Sequence, residues 1–90
     1  MWQLYEKKSL LKKIDKIPKH ILKRYELWKS IVELQGLSGL REIKGFHDES
    51  LTGEWLGFRS SRLNIQWRVI YTIENDVCEI YVVDINPHHY

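Results

Sequence analysis

The spacing of apolar residues changes once along this chain, and that change limits the folds open to it. Ile21, Tyr25, Trp28 and Val32 stand 4, 3 and 4 residues apart, the interval of one helical face. Leu22 and Ile31 widen the stripe, while Lys19, Lys23, Arg24 and Lys29 fall between its members and form a solvated surface. Pro18 lacks an N–H and suits a first helical turn, and Gly36 is a natural stop. The spacing therefore predicts a helix over residues 18–35. Farther on the interval is two. In residues 66–74, Trp67, Val69, Tyr71 and Ile73 share one face of a strand, and Arg68, Ile70 and Thr72 share the other.

The remaining segments fit around these two. Trp2-Gln3-Leu4-Tyr5 alternates and suits a short first strand. Residues 7–15 suit a short basic helix carrying Leu10, Leu11 and Ile14. Residues 36–53 hold four of the five glycines and read as loop, with one helical turn around residues 37–43. Residues 55–63 and 77–85 read as two more strands, and Glu74-Asn75-Asp76 is a turn. The order is β-α-α-β-β-β. Two helices must bury their apolar stripe on one sheet face, so the expected fold class is α+β. It has two layers: N-terminal helices on a roughly four-stranded, mostly antiparallel sheet. The last three strands form a meander, and the first pairs somewhere along it.

Ninety residues suffice for one domain, and no linker or repeat divides residues 1–90. Eleven aromatic residues, four of them Trp, mark a folded chain. The lone cysteine, Cys78, rules out an internal disulfide and any multi-cysteine zinc site, and is expected to be buried and inert. No apolar run approaches the ~18 residues of a membrane span, and the N-terminus does not read as a signal peptide, so a cytoplasmic protein with no membrane partner is expected. The net charge of +2 conceals an asymmetry. Residues 1–29 carry nine Lys and Arg against three Asp and Glu, and residues 30–90 carry five against nine.

Arg59, Arg62 and Arg68 stand within ten residues inside that acidic part. Guanidinium forks suit phosphates. Two readings are open: a phosphate-binding cluster, or surface pairing with Asp48, Glu49, Glu54 or Glu79. His88, His89 and Tyr90 follow the last strand as acid–base groups or as a frayed tail. His47, Asp48 and Glu49 could ligate a metal, supply a carboxylate base, or be solvated charges. The tryptophans read as packing residues.

These residues carry a resemblance. Leu51-Thr52-Gly53-Glu54-Trp55-Leu56-Gly57-Phe58-Arg59 resembles the Leu-x-Gly-x-Trp-x-Gly-Tyr-Arg segment of YafQ-type toxins. Arg62-Leu63 followed by Trp67-Arg68-Val69-Ile70-Tyr71 resembles the arginine-bearing strand pair of the wider RelE/ParE superfamily. The element order agrees along essentially the whole chain. The resemblance implies the toxin of a bacterial type II toxin–antitoxin pair. Such a toxin cleaves mRNA on the ribosome through attack of a 2′-hydroxyl on the adjacent phosphate, without metal or other cofactor. The superfamily also implies an alternative, a ParE-like non-enzymatic inhibitor of DNA gyrase.

Carried over by position, Arg68 matches the arginine expected to hold the scissile phosphate, and Arg62 falls at a basic catalytic position. His88 matches the C-terminal histidine of the YafQ type, and His89-Tyr90 resembles the ending of the YoeB type. Glu49 stands in place of a loop histidine, and Gln66 in place of an acidic residue. Lys44, His47, Arg59, Lys19 and Lys23 are the expected RNA-binding cations. The implied partners are a cognate antitoxin, joined in a hetero-oligomer, and the ribosome with its mRNA. Leu27 and Leu34 on the long helix are candidate antitoxin contacts.

Overall fold

A computed structural model describes residues 1–88. Its elements are β1 (Gln3–Glu6), α1 (Lys8–Lys13), α2 (Lys19–Glu42), β2 (Glu49–Ser50), β3 (Arg59–Arg62), β4 (Arg68–Glu74) and β5 (Glu79–Asn86). The sheet runs β1-β5-β4-β3-β2, with β1 parallel to β5 and every other pairing antiparallel. The expected meander is present, and the first strand adds at its β5 side. The fifth strand is β2, two residues long, which has no apolar pattern to announce it.

The core lies between the helices and one sheet face. The α2 stripe is buried throughout: Ile21, Tyr25, Trp28 and Val32 meet Val69 and Tyr71 of β4 and Ile80, Val82 and Ile85 of β5 in one cluster. Trp28 is its centre. Its ring stacks on Tyr25 at 5.9 Å and meets the edge of Tyr71 at 5.2 Å. Its Nε1–H donates to Ser61 Oγ at 2.9 Å, which satisfies the one polar atom that its burial would strand.

Gly36 does more than stop a helix. It sits at φ 65°, ψ −150°, a conformation essentially reserved for glycine, and α2 is broken there before resuming to Glu42. A Cβ at this position would collide with the indole of Trp2, and the Trp2 N–H donates to the Glu33 carbonyl at 2.9 Å. The break thus docks the N-terminal strand against the long helix.

The last three strands all start later than their patterns suggested. The stretch expected as strand over residues 55–63 begins pairing only at Arg59, because Gly53 and Gly57 take positive φ (63° and 95°) and turn the chain first. Cys78 is exposed rather than buried: it closes the β4–β5 turn in a left-handed conformation at φ 52°.

A β-bulge decides what β5 presents. Tyr71 pairs with Val82, but Ile70 pairs with Asp84, leaving Val83 as the extra residue. Before the bulge the even-numbered Ile80 and Val82 face the core. After it the odd-numbered Ile85 does, and Asp84 and Asn86 turn to the other face, opposite Ile70 and Arg68.

Candidate active site on the second sheet face

Strand alternation divides β3 between the two faces. Arg59 and Ser61 point to the helix side, while Ser60 and Arg62 point to the other. Arg62 is the register partner of Arg68 on β4, so two guanidinium side chains sit directly opposite each other on one face. Glu49 on β2 is paired with Ser60 and shares this face. Asn86, the register partner of Arg68 on β5, completes the row.

Arg68 is 7% exposed. Its one ion pair among the described residues is Nη1 to Glu49 Oε1 at 3.7 Å, and the Glu49 side chain is 58% exposed. Among the described residues the buried Nε atoms of both Arg68 and Arg62 lack any hydrogen-bond partner. Cations placed side by side repel, and burying them without bonded anions costs free energy. The arrangement is therefore stabilised by an incoming anion with oxygens to accept these N–H groups, and a phosphate has that geometry.

Beyond the end of β5, His88 lines a shallow cleft with Lys13, Lys16, Ile17 and Trp67. Asn86 Nδ2 donates to Asp84 Oδ2 at 2.6 Å, and the His88 backbone N–H donates to Asn86 Oδ1 at 2.9 Å. Lys13 pairs with Asp84. Burial opposes ionisation of Asp84, but the bonds from Lys13 and Asn86 outweigh it and hold the carboxyl below its ordinary range.

Arg59 belongs to a different system. Asp48 presents a side chain only 1% exposed, and it accepts from Arg59 Nη2 at 2.7 Å, from Ser61 Oγ at 2.7 Å and from the Tyr71 hydroxyl. Arg59 Nη1 also donates to Ser50 Oγ at 2.7 Å. The chain of bonds runs from the Trp28 indole through Ser61 to Asp48, joining helix, sheet and the β2 segment. Burial and the facing Asp48 push the Tyr71 phenol far above its ordinary range. Burial also opposes the charge on Arg59, yet the bonds with Asp48 and Tyr71 raise its basicity further.

No family model matches the sequence, and none of the curated proteins does. Solved structures do. YafQ from E. coli strain BL21(DE3) superposes with a TM-score of 0.79 at 12% identity, over 98% of this chain and 94% of its own. The YoeB/ParE toxin from Agrobacterium tumefaciens gives 0.75 at 16% identity, over 97% and 99%. RelE in the archaeal RelE–RelB complex from Pyrococcus horikoshii OT3 gives 0.73 at 22% identity, over 96% and 93%. The chain has the RelE-like toxin fold. At these identities the likeness is one of fold.

Within the RelE-like fold, the sequence-derived candidates separate into groups. Arg62, Arg68 and Glu49 come together on the second face, while His88 bonds through its backbone to Asn86 and lines a cleft with Lys13, Lys16 and Trp67. His89 and Tyr90 lie outside the described residues. Lys44 and His47 line a cleft beside β2. Lys19 and Lys23 are exposed on α2, across the sheet from the arginine pair, so they do not join that face. Arg59 likewise faces the helix side, its guanidinium engaged by Asp48. Of the two readings open for the arginines, pairing holds for Arg59 with Asp48 and, more loosely, for Arg68 with Glu49, and among the described residues not for Arg62. Among the described residues no group of three His, Cys, Asp or Glu side chains could hold a metal ion, so His47, Asp48 and Glu49 do not converge. No helix there is long and apolar enough to cross a membrane. Leu27 and Leu34 are exposed, at 46% and 67%. The place of Asn86 opposite Arg68 is not legible in the sequence, because the bulge that turns it to that face leaves no mark in the run Tyr81-Val82-Val83-Asp84.

Proposed function

We propose that this chain is the toxin of a type II toxin–antitoxin pair and that it cleaves mRNA on the ribosome. The observation that carries the reading is the cross-strand pair Arg62–Arg68, whose buried Nε atoms have no hydrogen-bond partner among the described residues. Both guanidiniums would bind the non-bridging oxygens of the scissile phosphate and stabilise the charge that grows there, commonly the largest catalytic contribution. Glu49, exposed and beside Arg68, is our candidate to take the proton of the 2′-hydroxyl. The 2′-oxygen then bonds to phosphorus and the P–O5′ bond breaks. A proton from His88, or from the terminal His89 or Tyr90, goes to the leaving 5′-oxygen. The products are a 2′,3′-cyclic phosphate and a 5′-hydroxyl, and no cofactor is consumed.

The fold's occurrence in the RelE–RelB complex and in the DinJ–YafQ toxin–antitoxin complex supports a cognate antitoxin for this chain. The exposed Leu27 and Leu34 on α2 are its proposed contacts, in a cytoplasmic hetero-oligomer. Primer extension on a translated mRNA tests the activity. A single 2′-deoxynucleotide at the cleaved position should abolish the new 5′ end there. A parallel supercoiling assay covers the gyrase alternative: lost supercoiling with intact transcripts would replace this reading.

A further inference from the structure

Glu49 stands on the shortest strand of the sheet. β2 has two residues, lies at the sheet edge and pairs with β3 only through Glu49–Ser60 and Ser50–Arg59. So little ladder does not by itself fix where a side chain stands. The fixing comes from the opposite face. Alternation sends the two neighbours of Glu49, Asp48 and Ser50, to the helix side, and one guanidinium there bonds both. Arg59 Nη2 donates to Asp48 Oδ2 at 2.7 Å, and Arg59 Nη1 donates to Ser50 Oγ at 2.7 Å. The Arg59 Nε–H is shared at 3.3 Å between Asp48 Oδ2 and the Tyr71 hydroxyl. Asp48 is anchored in turn by Ser61 and Tyr71, so the clamp is tied to β3, to β4 and, through the Trp28 indole, to α2. Immediately before it, His47 takes the left-handed conformation at φ 43°, uncommon for a residue with a Cβ and sustained only where the surroundings hold the chain.

Resting on the reading of Glu49 as the proton acceptor, we infer that Arg59 is a positioning residue for it. By holding the residues on both sides of Glu49, Arg59 sets the place of the Glu49 carboxylate beside Arg68 from across the sheet, and it touches no part of the RNA. The Glu49 side chain is 58% exposed, and its one polar contact among the described residues is the 3.7 Å pair with Arg68 Nη1. Its reach to the 2′-hydroxyl is therefore decided by the backbone under it. Proton transfer needs ~3 Å between the heavy atoms, and a misplacement of ~1 Å costs up to ~10²-fold in rate. Arginine suits the task because its planar fork reaches two residues at once, a geometry that the point-like ammonium of lysine lacks.

Cleavage of mRNA on programmed ribosomes, followed against protein concentration, tests this through two variants. Ser50→Ala removes one clamp bond from an exposed side chain and leaves the Asp48–Arg59 pair whole, so the fold is kept. Arg59→Lys keeps the charge facing Asp48 and loses the fork. The maximal rate should fall about threefold for Ser50→Ala and about tenfold for Arg59→Lys, with the half-saturating concentration unchanged. In a Glu49→Gln background neither substitution should cost anything further, since the group it positions is gone. Equal losses with and without Glu49→Gln overturn the inference, because they mark a role in the fold alone. So does a raised half-saturating concentration at full maximal rate, which would make Arg59 an RNA contact. If Glu49→Gln is slow while Ser50→Ala and Arg59→Lys keep the full rate, the base stands and the clamp falls. If Glu49→Gln cleaves as fast as wild type, or wild type does not cleave, the reading of Glu49 falls and takes the clamp with it.

Discussion

Arg68 illustrates a residue held against its own stability. It is 7% exposed, and among the described residues its Nε has no acceptor. Methionine keeps the stem and removes the buried charge. Arg68→Met should therefore leave the thermal midpoint unchanged or raise it, measured by calorimetry, while activity falls. Asp48 behaves in the opposite way. Asp48→Ala strips the buried partner from Arg59, Ser61 and Tyr71 and should cost about 3–5 kcal/mol by urea unfolding. That the arginines could bind phosphate or pair with Asp48 was legible from composition. Which arginine does which was not, because the choice depends on strand parity: Arg59 and Arg62 are three residues apart and so point to opposite faces.

Helix and strand identity was legible wherever one face is buried and the other is wet. The α2 stripe and the alternating β4 follow from their spacing, because the core tolerates nothing else at those positions. Strands set by other forces were hidden. β2 is held by backbone pairing to β3 and has no apolar residue. β5 changes parity at Val83, and a run of β-branched residues fits either parity. Deleting Val83 should remove the bulge and keep the register, with Val82 and Ile85 still inward and Asp84 and Asn86 still on the other face. The expected outcome is a folded protein with little change in its urea midpoint, whereas a flip of the strand end would show as a strongly lowered one. Gly36 was read as a stop, but its contact with Trp2 joins elements distant in sequence. Gly36→Ala should cost about 2–5 kcal/mol, from the strained φ and from the displaced indole.

At the scale of the whole molecule, two buried phenols link stability to pH. Tyr25 donates to Glu6 at 2.6 Å and Tyr71 donates to Asp48, and burial, then these carboxylates, push both far above the ordinary value of 10.0. Above that pH the unfolded chain loses protons that the native state keeps. Stability is thus fully present well below pH 10 and falls as pH rises through it, toward a limit of ~1.4 kcal/mol per pH unit for each phenol. Urea unfolding between pH 9 and 12 should show the loss steepening toward this limit, and Tyr71→Phe should halve it. Asp84 acts at the acid side: its contribution is present above the ordinary carboxylate range and lost as pH falls through its lower native value.

The two-layer order of the molecule was the most legible feature of all, since one amphipathic helix and one alternating strand leave few ways to bury both. Its consequence is a division of labour between the faces. One face of the sheet is spent on the core and the Asp48 network, and the other gathers Arg62, Arg68, Glu49 and Asn86. The measurement that tests this division most directly is single-turnover cleavage of mRNA on programmed ribosomes, comparing wild type with Arg68→Met at equal thermal stability. A loss of about 10²–10³-fold in rate is predicted for the variant. Equal rates, or no cleavage by wild type, would contradict the account.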